Sequence, residues 1–199
     1  MIEILKSGTI THMSGHNKWS QIVRQKGSAD AAKSRAFGKF SRLITLESKK
    51  AAGNVSSPAL AALISRAKEI NMPKDSIDRA VAKGISKDAA LEQVTYEFYG
   101  PAGIALIVDA VTDNKNRTTQ EIKHIITKNG FELGAQGSAS WAFTKSGNGM
   151  LTPNEPLIDI SSEEDEEKIT QLLTLFVEHD DVQQVYTNAR GYENPSESE

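Results

Sequence analysis

The chain has 199 residues, 38% of them apolar and 25% charged, with a formal net charge of −3 and no cysteine. The missing thiols exclude disulfides, thiolate nucleophiles and Cys-ligated zinc. No apolar run approaches the roughly 20 residues a membrane-spanning helix needs. The small net charge conceals a split: residues 13–85 hold 14 Lys and Arg against 5 Asp and Glu, a net of +9, whereas residues 150–199 hold 2 against 13, a net of −11. Residues 1–12 carry only Ile2, Ile4 and Leu5 as an apolar patch and have no arginine, unlike a secretory or transit peptide. A cytoplasmic protein without membrane contact is expected, with residues 1–12 a disordered extension.

The first half reads as helical. Ser28 is placed to cap a helix running to about Ala52, with Phe37, Phe40, Leu43, Ile44 and Leu46 on one face and Gly53 as its stop. Ser57-Pro58 starts a second helix, whose apolar face is Leu60, Leu63, Ile64, Ala67 and Ile70. Asn71-Met72-Pro73 breaks it, and a third helix carries Ile77, Ala80 and Val81 before Gly84 ends it. These make a three-helix bundle within a basic helical domain over 13–88.

From Leu91 the apolar period changes to two. Val94, Tyr96 and Phe98 alternate with polar neighbours, Gly100–Gly103 turns the chain, and Ile104–Val111 is apolar on both faces, as a central strand is. Thr118-x-x-Glu121 reads as a capping box for a helix with Ile122, Ile125 and Ile126, closed by Gly130. Strands are expected at 131–134 and at 138–144, the latter with Trp141 and Phe143, and a loop over 145–156. A further strand is expected at Leu157–Ile160, then a helix capped by Ser161 with Ile169, Leu172, Leu173 and Phe176, and a strand at Val182–Thr187. The class is therefore α+β: the bundle, then over 89–190 a ferredoxin-like β-α-β-β-α-β sandwich with one extra N-terminal strand. Residues 191–199 read as a disordered acidic tail.

His16, Lys18, Arg24, Lys26, Lys33 and Arg35 surround Trp19 with potential phosphate donors, and Lys39 and Arg42 extend the series. Cations neutralise phosphates and release counterions, and an aromatic ring stacks on an unpaired base. A tryptophan merely anchoring a segment, among solvated lysines, is the plainer alternative. The break at 71–73 permits a helix-turn-helix reading. Asp75 and Asp78 in the third helix's first turn repel phosphate, however, Lys74, Arg79 and Lys83 offset them only in part, and no array for base edges stands out. Arg117, in Thr112–Thr118 where a helix opens, is a possible secondary phosphate contact against the alternative of an Asx-stapled turn. Gly134–Ser138 matches no phosphate-binding loop. His179-Asp180-Asp181 is the one acid–base cluster, but adjacent carboxylates diverge, and His124 reads as a packed side chain. No enzyme, no metal, no cofactor and no small-molecule substrate are expected.

Ser14-Gly15-His16, Lys18-Trp19, Lys26-Gly27, the Asn71–Ala80 block, Tyr96–Gly103, Thr112–Thr118 and Asp180–Asn188 together resemble the YebC/PmpR family, whose mitochondrial relatives include the translational activator of cytochrome c oxidase. The resemblance spans about 13–189. It implies a basic helical first domain with α/β domains behind it, no catalysis, and a start at Met13. It also implies a further α/β domain inserted after the Trp141–Phe143 strand, where only the loop 145–156 stands here, so the chain resembles a shortened form. The expected function is a non-catalytic translation factor contacting ribosomal RNA or the ribosome through the basic domain. The alternatives are a DNA-binding transcriptional regulator and an adaptor whose acidic α/β domain docks a basic protein.

Overall fold

The computed structural model describes Lys18, Ile22 and residues 29–86, 90–146 and 150–193. Lys18 and Ile22 are themselves helical, and after them come α1 (Ala29–Lys50), α2 (Pro58–Glu69) and α3 (Lys74–Ile85). Ile44, Leu60, Ala67, Met72, Ile77 and Ala80 form their common core, with Phe37, Phe40, Leu63, Ile64, Ile70 and Val81 around it. Leu43, expected on the same face, lines instead a cleft towards Gln93 and Gln184. The α1 stop is made by Ala52 and Gly53, both at positive φ (49° and 78°). Gly84 does not end α3; it lies inside the helix and is buried, because α1 passes too close for a side chain.

The second half builds β1 (Glu92–Tyr99), β2 (Ala105–Thr112), α4 (Lys115–Lys128), β3 (Phe143–Lys145), β4 (Leu151–Pro153), α5 (Glu163–Glu178) and β5 (Val182–Thr187). One antiparallel sheet has the order β1-β2-β5, with Glu92 opposite Thr112, Tyr99 opposite Ala105 and Ile107 opposite Tyr186. Strand β2 is apolar on both sides because it is covered on both. Leu106, Val108 and Ala110 pack with Ile122 and Ile126 of α4 and Ile169, Leu172, Leu173 and Phe176 of α5. Ala105 and Ile107 pack with Ala139, Ala142, Phe143 and Tyr186 on the other face.

The α+β class holds: a bundle of three helices, then a mixed α/β region with antiparallel sheets. Between β2 and α5 the strands are shorter than the periodicity suggests. The strand expected at 131–134 is a single bridge from Leu133 to Phe98, and that at Leu157–Ile160 a single parallel bridge from Ile158 to Ala189. Residues 138–144 divide into a 3-10 turn (Ser140–Ala142) and β3, and the expected loop contains β4, which pairs with β3. The strand expected as an addition, β1, is the full-length neighbour of β2. Caps move too. Asn114 caps α4 by accepting from the Arg117 amide at 3.1 Å, and Ser162, not Ser161, caps α5 by accepting from the Asp165 amide. Among the described residues no helix is long and apolar enough to cross a membrane.

Candidate nucleic-acid interface

Four sequence candidates, His16, Trp19, Arg24 and Lys26, lie outside the described residues. The rest divide by what α1 and the N-terminal arm face. Lys18 sits on the acidic half: its Nζ donates to Glu166 Oε1 at 2.5 Å, its amide donates to the Gly191 carbonyl at 2.8 Å, and its ammonium lies 5.2 Å from the Tyr192 ring centre. Burial works to lower its pKa, but the bond it donates to Glu166 and the proximity of Tyr192 outweigh that and raise the value. Ile22, four residues on, is buried in the main core.

Lys39 and Arg42, one turn apart on α1, are turned to the same half. Lys39 Nζ donates to the Val177 carbonyl at 2.9 Å, at the C-terminal end of α5. Burial pulls its pKa down to about 8, with Arg35 and Arg42 adding to the effect and Asp180 opposing it. Arg42 donates to the Asp180 carbonyl at 3.0 Å and pairs with Asp181 Oδ1 at 3.4 Å. Arg35 lines the cleft between α1 and α5 with Lys39, Thr174 and Glu178. Lys33 is exposed, its ammonium 5.6 Å from the centre of the Phe37 ring.

Arg117 is enclosed by carboxylates. It pairs with Asp181 at 2.7 Å, Asp113 at 3.2 Å and Glu121 at 3.8 Å, so an incoming phosphate has three anions to displace. Asp181 is 3% exposed and also accepts from the Thr118 hydroxyl at 2.7 Å. Burial alone would raise its pKa; the bonds from Thr118 and Arg117 and the charges of Arg117 and Arg42 hold it below the usual carboxylate value. Thr118 is thus a buried partner of Asp181 rather than a cap.

The acid–base cluster recruits a residue the sequence left out. Glu121, His179 and Asp181 bring donor atoms within 4.8 Å of one another, while Asp180 is exposed. His179 Nδ1 accepts from the Asp181 amide at 3.2 Å, which leaves Nε2 to donate to Glu121 at the same distance. The Arg117 guanidinium already sits in this group, so a dication would meet a resident positive charge. His124 is exposed on α4, contrary to the packed position expected of it.

A surface the charge tally underrated lies between α1 and α3. A groove of about 310 Å³ is lined there by Phe37, Gly38, Ser41, Ser76, Arg79 and Lys83, among others. Ser76, Arg79 and Lys83 recur at the 3- and 4-residue spacing that puts them on one helical face; Asp78 falls round the helix from them, while Asp75, four residues before Arg79, borders the stripe. That stripe was readable in the sequence; its facing partners Gly38 and Ser41 were not, since they belong to another helix.

Comparison with known proteins adds the lineage. Residues 17–87 match the family model described as the TACO1/YebC protein N-terminal domain, and residues 91–156 match the TACO1/YebC second and third domain. A "Probable transcriptional regulatory protein" of Dictyoglomus thermophilum is 48% identical over 139 residues, covering 68% of this chain and 56% of its own length. One of the same name from Petrotoga mobilis is 43% identical over 169 residues, covering 83% of this chain and 63% of its own length. The chain thus spans little more than half the length of the curated relatives it matches. The crystal structure of a conserved hypothetical protein from Aquifex aeolicus is 29% identical with a TM-score of 0.77, covering 91% of this chain and 98% of that one. On these matches the chain belongs to the TACO1/YebC family.

Proposed function

We propose that this chain is a non-catalytic, nucleic-acid-binding regulator of gene expression that acts on duplex DNA as a transcriptional regulator. The observation that carries this reading is the net charge of +9 over residues 13–85, together with exposed cations on the rim of the α1–α3 groove. The names of the relatives from Dictyoglomus thermophilum and Petrotoga mobilis support DNA as the partner.

A translation regulator bound to ribosomal RNA is the second reading. It is favoured by the exposed Asp75 and Asp78 on α3, which suit shape-based backbone contact better than a helix seated in the major groove. An adaptor role for the acidic half has less support, because Glu166, Asp181 and the Asp180 carbonyl are engaged by the chain's own cations.

Fluorescence anisotropy with a labelled DNA duplex and a labelled RNA hairpin, over a series of salt concentrations, tests the choice. The regulator reading expects saturable duplex binding that weakens steeply with salt. Binding of the hairpin alone would transfer the assignment to RNA, and binding of neither would end it.

A further inference from the structure

We propose that the groove between α1 and α3 is the seat of one strand of a DNA backbone, with Arg79, Lys83 and Lys33 on its phosphates and Ser41 and Ser76 donating to phosphate oxygens. This rests on the DNA-binding reading above and goes beyond it by moving the contact away from Lys18, Lys39 and Arg42. Those three are held by Glu166, the Val177 carbonyl and Asp181 with the Asp180 carbonyl.

Gly38 supplies the sharpest observation. Glycine within a helix costs about 1 kcal/mol relative to alanine. Most interior glycines have a local reason, as Gly84 does. At Gly38 an added Cβ would meet, among the described residues, only Arg42 Nη1, at an ordinary 3.6 Å, and no positive φ is needed in mid-helix. Neither packing nor backbone conformation requires glycine there. An open groove floor does, because a backbone-bound ligand can approach a helix closely only where no side chain intervenes.

The polar groups are set for phosphate. Arg79 is held over its own helix by donating from Nε to the Asp75 carbonyl at 3.2 Å and from Nη2 to Ser76 Oγ at 3.1 Å. Ser76 accepts that bond, so its own hydroxyl proton is left to donate outward. Lys83 follows one turn later, about 6 Å along the axis, a step comparable with that between neighbouring phosphates on one strand. Lys33 lies over Phe37, whose ring lines the same groove.

The test measures duplex-DNA affinity of the full chain by anisotropy across salt for three variants. Arg79→Ala with Lys83→Ala should weaken binding at least tenfold and lower the log–log salt slope by about two. Gly38→Leu should weaken it at least fivefold while melting no lower than the parent, which separates blocked binding from lost folding. Lys123→Ala with Lys128→Ala, which removes equal charge from exposed sites on α4, should stay within twofold. Parental affinity in both Arg79→Ala/Lys83→Ala and Gly38→Leu would overturn the groove while leaving the DNA-binding reading intact. If the parent chain itself binds no duplex, that reading falls and the proposal with it; capture of an RNA hairpin alone likewise overturns the commitment to DNA.

Discussion

Arg42 of α1 reaches the Asp181 carboxylate, just before β5, at 3.4 Å, and thereby joins the basic half of the chain to the acidic half. Lys39 beside it and Lys18 on the N-terminal arm make the same crossing to α5. The opposed charges of the two halves therefore serve in part as an internal contact. A cation engaged in this way offers less to a polyanion than its place in a charge count suggests, which is why the open side of the helical unit gains weight.

Asp181 should be the costliest member of that contact to remove. It is buried and accepts from Thr118 and Arg117 while facing Arg42. Asp181→Ala should destabilise the fold by about 2 kcal/mol, chiefly through the buried Thr118 hydroxyl and the loss of both guanidinium partners. The sign with pH follows from its depressed pKa. The carboxylate contributes fully above its ordinary value of 3.8, and its contribution is lost as acid protonates it below that. Urea melts should show the variant's deficit at neutral pH shrinking as the solution is acidified below that value.

Lys39 should leave a mark on the alkaline side. In the folded chain its proton is released near pH 8, against 10.5 for an ordinary lysine. Between these values the unfolded chain holds more protons, so folding stability rises with pH through that window. Lys39→Met removes the titration. The parent's stability should climb relative to the variant from about pH 8 upward in paired denaturant melts, and parallel curves would show that Lys39 is not desolvated. The comparison is cleanest below pH 10, since Tyr186, pushed up to about 12 by burial, withdraws stability above the ordinary tyrosine value of 10.

The elements legible in the sequence were those whose signal is local and whose burial is complete. Strand β2 announced itself because packing on both faces leaves no polar position between Ala105 and Val108. The three bundle helices did so through their apolar spacing. Residues 131–134 and Leu157–Ile160 have strand-like composition but only a single bridge each, and pairing depends on a partner that composition does not reveal. The site was harder still. Local counting grouped Lys18, Lys33, Lys39 and Arg42 by sign, whereas the fold turns Lys18, Lys39 and Arg42 to the other half and leaves Lys33 exposed over Phe37 of its own helix. Glu121 joined His179 and Asp181 only through the docking of α4 against the end of α5.

Glu97 provides a prediction on the far side of the sheet. Its carboxylate is 5% exposed and accepts three backbone amides, from Gly137 and Ala139 at 2.8 Å and from Ser140 at 2.9 Å. It thereby sets the Gly134–Ser138 loop and the turn that carries Trp141, whose indole donates to the Tyr99 hydroxyl at 2.8 Å. Glu97→Gln keeps the shape but replaces one accepting oxygen with a donor aimed at an amide. A loss of about 2 kcal/mol is expected, together with a shift in the fluorescence of exposed Trp141. An unchanged melt would show that the loop holds itself.

Gly84 sets two physical effects against each other. Helix propensity favours Gly84→Ala by about 1 kcal/mol, because alanine restricts the unfolded chain and glycine does not. Packing opposes it: a Cβ would stand 2.5 Å from the Thr45 carbonyl oxygen and 2.6 Å from Ser48 Cβ, both on α1. The first obstacle is backbone and cannot rotate away. Thr45 Oγ1 and Ser48 Oγ also donate across this junction to the Ala80 and Val81 carbonyls of α3, so separating the helices lengthens those bonds as well. Overpacking of this kind costs about 1–3 kcal/mol, enough to reverse the propensity gain. Gly84→Ala should therefore lower the melting temperature, while Gly38→Ala on α1, which has no such neighbour among the described residues, should raise it. The opposite order in paired thermal melts would mean that α1 and α3 do not approach as closely as the buried Gly84 requires.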